Sequence, residues 1–211
     1  METGRLETFA DGVFAIAATL LILSVDAPCP TSGCDLKAEI LRAWPSYVAY
    51  AVSFLTIGII WVNHHTVMSQ IGRADRTFLM ITVLFLMVVA FIPFPTRLVA
   101  EHIHIHEASK ANVRAATVAY GITLTLTAVM FNVLWFYAAR GGRLLRDDAD
   151  PGVVRGISRT FVFGPWTYLA ITLVALVSPI LGAVGFALFA LFWVIESSVF
   201  GRDRAPEDLE R

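Results

Sequence analysis

Two ionisable side chains, Arg5 and Asp11, lie at the start of an otherwise apolar segment that continues to Leu23. Ionisable groups at the edge of a membrane are costly unless they have partners, and they therefore often mark functional positions. Asp11 follows Arg5 by six positions, about 120° around a helix, so the two are poorly placed to pair with each other. The spacing predicts that each reaches a neighbouring helix and that the first segment carries the function.

The second apolar segment offers the polar partners that these two residues need. Asn63, His64 and His65 follow one another near its end, at the depth that matches the start of the first segment. We predict a polar cluster of Arg5, Asp11 and at least one of these histidines, which holds the first helix against its neighbours. In the simpler alternative, Arg5 extends to the membrane interface and Asp11 is solvated at the helix start. A buried histidine would also offer pH sensitivity, although a neutral core histidine is more common.

Further along the first segment, Ile16, Leu20 and Leu23 follow the i, i+4, i+7 spacing that places side chains on one face of a helix, and Thr19 lies beside them. Around a symmetry axis, such a stripe would form aliphatic rings that exclude water, with a ring of hydroxyl groups that replaces part of an ion's hydration shell. In the alternative interpretation the stripe is ordinary helix packing, and the Thr19 hydroxyl bonds to the Ala15 carbonyl of its own helix. The residues alone leave both interpretations open.

The composition places these segments in a lipid bilayer. Of the 211 residues, 57% are hydrophobic and 16% are charged, and the mean hydropathy is +0.69. This leaves too little polar surface to cover a water-soluble protein of this size. The net charge of −1 and the lack of a basic run in the sequence argue against a nucleic-acid partner.

Six apolar runs are long enough to cross about 30 Å of hydrocarbon as helices. They cover about 7–26, 43–66, 76–97, 113–139, 159–178 and 180–200. We therefore predict an all-α polytopic membrane protein with six transmembrane helices, which form a single domain over residues 1–211. Only Ser178-Pro179 and the nearby Gly182 separate the last two runs, and this indicates a tight helical hairpin.

The distribution of positive charge predicts the orientation. When the N-terminus, the 67–76 and 140–159 loops and the C-terminal tail share one side, that side has eleven arginines, whereas the other side has five lysines and arginines. Under the positive-inside rule both termini are cytoplasmic, and an even number of spans fits termini that lie on the same side.

This topology places potential ligands for metals in the external loops. Cys29 and Cys34 lie in the first external loop, where they form either a disulfide in an oxidising compartment or two free thiols. His102, His104 and His106 lie in the second: if it is helical, His102 and His106 could bind a metal together, and if it is extended, all three could. Because no fixed partner shell is evident, a solvated charged loop is the favoured interpretation, and we predict no firm metal site.

Two other kinds of site are rejected from the sequence. Residues Thr117 to Gly121 read TVAYG, which is close to the TVGYG filter of potassium channels, but that filter lies on a re-entrant loop and this segment lies inside a continuous span. The chain also has no nucleophile with a base at usable spacing, no HExxH and no glycine-rich phosphate loop. We therefore predict that it is not an enzyme.

Three motifs in the first half of the chain resemble those of the transmembrane protein 175 family, the endolysosomal potassium channel and its bacterial homologues. They are Arg5-x-x-x-Phe9-Ala10-Asp11, continued by Gly12-Val13-Phe14-Ala15-Ile16 and Thr19-Leu20; Trp61-x-x-His64-His65; and Pro93-Phe94-Pro95-Thr96. The first resembles the RxxxFSD signature of that family. Ala10 stands where the signature has serine, which removes a hydroxyl and any hydrogen bond that it would make.

The resemblance implies a potassium-selective cation channel without the carbonyl-ring filter. In bacteria it would be a homotetramer of six-helix subunits in the inner membrane, with the first helix of each subunit lining the pore. The resemblance assigns the apolar constriction to Ile16, Leu20 and Leu23, and a pore-facing selectivity layer to Thr19. The structural polar cluster then comprises Arg5, Phe9, Asp11, Asn63, His64 and His65. Monovalent cations, above all potassium, would be the permeant partners, and no cofactor is expected.

A secondary transporter coupled to protons or other cations is the main alternative. Such a carrier would favour interrupted helices and an internal repeat between two halves. We find no clear repeat in the sequence, so the channel is the preferred hypothesis. A non-conducting scaffold would instead predict a first helix without Arg5 and Asp11.

Overall fold

A computed structural model describes residues 3–25, 35–103 and 109–200, with only the backbone over 196–200. In this part of the chain the fold is all-α, and its only β-type pairing is an isolated bridge between Ile71 and Leu145. The α-helices are α1 (Gly4–Leu20), α2 (Leu36–Arg42), α3 (Trp44–Ser69), α4 (Arg76–Phe91), α5 (Pro93–His102), α6 (Lys110–Ala139), α7 (Pro151–Val177) and α8 (Pro179–Phe200).

Local capping explains where several helices begin. Asp75 accepts a hydrogen bond from the Phe78 backbone N–H at 2.8 Å and starts α4. Asp150 accepts one from the Gly152 N–H at 2.6 Å ahead of Pro151, which occupies the first turn of α7. At the other end of α7, Ser178 is extended and Pro179 starts α8, which packs back on α7. The predicted break and helical hairpin at this point are confirmed.

Five stretches of the described residues are long and apolar enough to cross a membrane. They are Gly4–Ser24, Trp44–Ser69, Arg76–His102, Lys110–Gly142 and Pro151–Val177. The shorter apolar segment Pro179–Ile195 corresponds to the sixth predicted run. The six-span count and the cytoplasmic location of both termini stay predictions.

The third apolar stretch is broken into two helices, which the sequence-based boundary at residue 97 did not anticipate. α4 ends at Phe91, and Pro93 and Pro95 occupy the first turn of α5, which continues to His102. Proline has no N–H to donate to the preceding turn, so a single uninterrupted helix is unfavourable here. The short helix α2 was also not predicted, because its seven residues are far too few to cross a membrane.

The core is built around a row of aromatic rings that connects α1, α3, α4, α6 and α7. Phe14 lies 5.5 Å from the ring of His64 and 6.2 Å from that of Phe85, measured between centroids. Phe85 contacts Phe131 edge-on at 5.5 Å, and Phe131 contacts Phe161 edge-on at 4.8 Å. These are preferred geometries for aromatic pairs. The row fixes the rotation of α1 relative to the rest of the bundle.

Close helix packing at the far side of the bundle depends on glycine. A Cβ on Gly121 of α6 would overlap the hydroxyl of Thr172 on α7 and would lie 2.8 Å from Phe186 on α8. A Cβ on Gly182 of α8 would lie 2.5 Å from the Cβ of Ala175 on α7. Small residues let helix backbones approach in this way inside membranes. Gly121 belongs to the TVAYG segment, which lies inside the continuous helix α6 as predicted.

Candidate functional site

The first helix has one packed face and one exposed face. Its packed face inserts into the bundle, mainly against α3 and α4, and consists of Leu6, Ala10, Phe14, Ala17 and Leu21. The opposite face carries Ile16, Leu20 and Leu23, whose exposed fractions within a single chain are 61%, 43% and 63%. The residues predicted to form the constriction therefore share the face of α1 that no other part of the described chain covers.

Leu23 departs from the geometry on which its prediction was based. The α-helix ends at Leu20, and Leu21–Ser24 form a 3-10 turn in which the Ser24 hydroxyl donates to the Leu21 carbonyl at 2.6 Å. A 3-10 turn advances about 120° per residue instead of 100°, so the i+7 relation to Ile16 is only approximate. Leu23 nevertheless remains on the exposed side.

The Thr19 hydroxyl is hydrogen-bonded within its own helix, as the alternative interpretation of the sequence predicted. Its Oγ1 lies 2.9 Å from the Ala15 carbonyl oxygen and 3.0 Å from that of Ile16, and it donates its proton to them. The side chain is exposed. A hydroxyl has one proton and two lone pairs, so committing the proton to the backbone leaves acceptor capacity on the outer surface of the helix.

Asp11 is held by Trp61 and not by Arg5 or a histidine. The indole Nε1–H of Trp61 on α3 donates to Asp11 Oδ1 at 2.8 Å. The predicted cluster of Arg5, Asp11 and a histidine is therefore not the arrangement within one chain. Arg5 is exposed, and no hydrogen bond or ion pair of its side chain is found among the described residues.

The two neighbouring histidines have different environments. His65 lies one turn after Trp61 on the same face of α3, and its Nδ1 is 3.5 Å from Glu7 Oε1 on α1. His64 is 1% exposed and lies between Phe14 and Phe85, with its ring nearly parallel to that of Phe85 at 5.8 Å. Among the residues that the structure describes, its Nε2 has no hydrogen-bond partner. His64 is therefore an aromatic core residue, whereas His65 contributes to the surface contact between α1 and α3.

Asn63 lies on a different side of α3 from Trp61 and His65. Residues two apart on a helix point about 200° apart, so Asn63 cannot share the face that meets α1. It lines a small cavity of about 60 Å³ between α3, α6, α7 and α8, together with Asn132 and Tyr168. Phe9 is 54% exposed on α1. It follows Glu7 by two positions, so it points about 200° away from the side chain that meets His65 of α3.

Two residues that secure α1 were missed in the sequence-based cluster. Trp61 was noted as part of a motif but not as the partner of Asp11, and Glu7 was not assigned to His65. The sequence did contain a signal for the Trp61 partner. An indole N–H is a donor and never an acceptor, so in an apolar environment it needs an acceptor such as a carboxylate. Trp61 and His65 are also spaced i, i+4, which places them on one helical face.

The weak metal candidates gain no support from the described geometry. His102 is the last residue of α5, and its Nδ1 lies 2.9 Å from the Leu98 carbonyl oxygen. In residues 3–25, 35–103 and 109–195 no group of three potential ligands that could hold a metal ion is found. His104, His106, Cys29 and Cys34 lie outside the described residues, so the loop site and the disulfide stay predictions.

Comparisons with known proteins show which family the chain belongs to. The sequence profile described as "Endosomal/lysosomal potassium channel TMEM175" matches residues 5–93. A potassium channel of Chamaesiphon minutus is 41% identical over 201 residues, which cover 93% of this chain and 96% of the relative. The chain belongs to the TMEM175 family.

A second relative and a solved structure also match nearly the whole length of this TMEM175-family chain. A potassium channel of Streptomyces collinus is 40% identical over 192 residues, 91% of each chain. The crystal structure of a lysosomal potassium-selective channel TMEM175 homolog from Chamaesiphon minutus superimposes with a TM-score of 0.81 at 36% identity, covering 92% of this chain and 97% of the other. The predicted all-α, multi-pass membrane fold is therefore confirmed. The prediction that the chain is not an enzyme is also confirmed, because the family consists of ion channels.

Proposed function

We propose that this chain forms a homotetrameric, potassium-selective channel in the bacterial inner membrane, with a pore lined by α1 from each subunit. Membership of the TMEM175 family and the potassium channels among its relatives support the choice of ion. One transmembrane helix cannot enclose a water-filled path, so a closed ring of subunits must supply the wall. Six-helix subunits around a fourfold axis meet that requirement.

The observation that carries the proposal is the exposure of one face of α1 although its other face is fully packed. If this exposed face were turned towards lipid, it would be uniformly apolar. Gly12, Ile16 and Thr19 instead lie within about 60° of one another on it, and Gly12 leaves open space around it. Arg5 lies at the start of the same face. A mixture of polar, small and aliphatic residues suits a conduction path better than a lipid contact.

Ile16, Leu20 and Leu23 would form the constriction in this pore. Rings of aliphatic side chains close a pore by excluding water rather than by filling it. Thr19 lies between them in sequence, and its lone pairs are available because its proton is committed to the Ala15 and Ile16 carbonyls. An acceptor-only hydroxyl ring can replace water molecules around a potassium ion, and we assign selectivity to it.

Single-channel recording of the protein reconstituted in liposomes tests the proposal. We expect unitary currents that reverse near the potassium equilibrium potential. Leu20→Asn should raise the basal open probability, because a polar ring allows water and ions into the closed constriction. Leu84→Asn on α4 is the matched control, since Leu84 is 44% exposed against 43% for Leu20.

Three outcomes would contradict the proposal. Slow, saturable flux without unitary events indicates a carrier instead of a channel. Currents that do not distinguish potassium from sodium or protons would contradict the proposed potassium selectivity. An equal effect of Leu20→Asn and Leu84→Asn on the open probability would contradict the assignment of the constriction to α1.

A further inference from the structure

A large cavity that plays no part in the proposed pore lies on another side of the molecule, between α3, α5, α6 and α8. Its volume is about 540 Å³, within the range of about 300–1,000 Å³ that is typical of small-molecule sites. Its walls are mainly apolar, with Val52, Val99, Val113 and Phe186 among the lining residues. None of the residues assigned to the pore lines it.

The polar atoms at the floor of this cavity already have partners. Ser53 Oγ lies 3.1 Å from Tyr120 Oη and 2.9 Å from Thr96 Oγ1, and Thr96 Oγ1 also lies 2.9 Å from the Ile92 carbonyl oxygen. This chain of hydroxyl groups ends on the backbone, so it requires no polar atom from a ligand. An apolar chain can therefore lie on the floor without leaving a buried donor or acceptor unsatisfied.

The cavity opens on the outside of the helix bundle. Val48 of α3 and Val184 of α8 both line it, and each is 47% exposed. In a membrane-spanning chain an opening flanked by such residues faces hydrocarbon and admits a lipid chain more readily than a water-soluble molecule. Trp44, Lys110 and Pro179 also line the cavity and are the first residues of α3, α6 and α8, so one end of the cavity is at the helix ends, near the membrane surface.

Lys110 supplies the only positively charged side chain that lines the described cavity. It is exposed at the first position of α6, and in the part of the chain that the structure describes it forms no ion pair. A long lysine side chain at the end of a membrane helix extends its ammonium group to the headgroup level. Trp44 also lines the cavity, and tryptophan is enriched at the same depth of membrane proteins.

We propose that this cavity binds one anionic phospholipid, with an acyl chain between α3 and α8 and the phosphate at the Lys110 ammonium group. The acyl chain fits the apolar walls, the lateral opening and the floor, whose hydroxyl groups are hydrogen-bonded to one another and to the backbone. The Lys110 charge at the mouth fits the headgroup, because cationic side chains between transmembrane helices attract anionic lipids. The site is independent of the proposed pore, and the lipid stabilises the contact of α8 with α3.

Native mass spectrometry of the purified full-length protein in detergent tests this site by counting bound lipids per chain. We add phosphatidylglycerol or phosphatidylcholine with identical acyl chains. Phosphatidylglycerol should be retained at concentrations at which phosphatidylcholine is not. Lys110→Gln should weaken retention of phosphatidylglycerol by about fivefold, the factor that one lysine near an anionic lipid supplies. Ala183→Phe, which fills the cavity, should remove retention of both lipids.

The chain provides a matched control, because it has only two lysines, Lys37 and Lys110. Lys37 is exposed on α2, so Lys37→Gln removes the same charge without touching the cavity and should leave retention unchanged. Equal retention by wild type and Lys110→Gln would overturn the proposal, as would an equal loss in Lys37→Gln. Lys110 is exposed, so its variant keeps the test decisive even if Ala183→Phe fails to fold. A subunit contact that fills the cavity, shown by cross-linking across it, would also overturn it.

Discussion

At the scale of single residues, the link between Asp11 and Trp61 shows how α1 is secured without a buried ion pair. A neutral indole donor satisfies one carboxylate oxygen at 2.8 Å. This avoids placing a second full charge inside the membrane, where desolvation can cancel the Coulombic gain. The nearby contact of Glu7 with His65 is longer, at 3.5 Å.

A double-mutant cycle of Asp11→Ala and Trp61→Phe should reveal this hydrogen bond. We expect a coupling energy of about 1.5–3 kcal/mol, the range for a hydrogen bond to a charged group. The readout is the free energy of unfolding, or of subunit dissociation if that comes first. The control cycle of Glu7→Ala and His65→Ala should give less than about 1 kcal/mol, because the Nδ1 and Oε1 atoms of that partly exposed pair are 3.5 Å apart. Equal coupling in both cycles would mean that the indole N–H has no special role.

Thr19 can be tested separately from the constriction. Thr19→Ala removes the hydroxyl while leaving the helix intact, so potassium-over-sodium selectivity should fall towards unity while conduction persists. Thr19→Ser keeps the hydroxyl and its bond to the Ala15 carbonyl and should retain selectivity. Reversal potentials under bi-ionic conditions measure both variants. A wild-type reversal potential for Thr19→Ala would show that selectivity resides elsewhere.

At the scale of elements, two connections are joined at the end of the bundle opposite the lipid cavity. The Gly72 N–H donates to the Leu144 carbonyl at 3.0 Å, and the Arg146 N–H donates to the Gln70 carbonyl at 2.9 Å. These bonds connect the α3–α4 loop to the segment between α6 and α7. The pairing satisfies backbone donors and acceptors of both segments and holds them together.

Asp75 extends the same junction with a charged group. Its Oδ2 accepts hydrogen bonds from Tyr137 Oη at 2.8 Å and from Arg143 Nη2 at 2.7 Å. The pKa of Asp75 is lowered mainly by the hydrogen bond from the Phe78 N–H, and further by Tyr137 and Arg143. A lowered carboxyl pKa contributes stability that is fully present above the unfolded value of about 3.9 and is lost as the pH falls below it.

Asp75→Asn should therefore destabilise the protein at about pH 7 and have much less effect at about pH 3. Asparagine still caps α4, so the difference isolates the charge. Melting temperatures of both proteins across this pH range provide the measurement. Asp148→Asn is the control: its pKa is lowered by Arg146 only two residues away, so the variant leaves the junction between loops intact. A pH-independent effect of Asp75→Asn would contradict the assignment.

At the scale of the whole molecule, the proposed pore requires partner subunits. We expect chemical cross-linking in mild detergent to trap a species of four chains, each of 23.2 kDa. Closed rotational symmetry places the same face of α1 from every subunit around one axis. A functional particle that is strictly monomeric would contradict the pore assignment, and so would a ring that conducts normally when bulky labels cover Ile16.

The sequence by itself determined the all-α membrane fold, most helix boundaries and the face shared by Ile16, Leu20 and Leu23. These depend on hydrophobic periodicity and length, which are local properties of the chain. The hairpin at Ser178-Pro179 was predictable for the same reason, since proline acts on its own helix.

Only the tertiary structure decided which polar residues meet. Asn63, His64 and His65 are consecutive, yet one lines a cavity, one packs between aromatic rings and one faces Glu7. Successive residues of a helix point about 100° apart, so their partners depend on how α3 is rotated against α1 and α4. That rotation is fixed by packing of the aromatic row, which involves residues far apart in sequence. The same dependence on distant helices explains why the lipid cavity could not be predicted from any single segment.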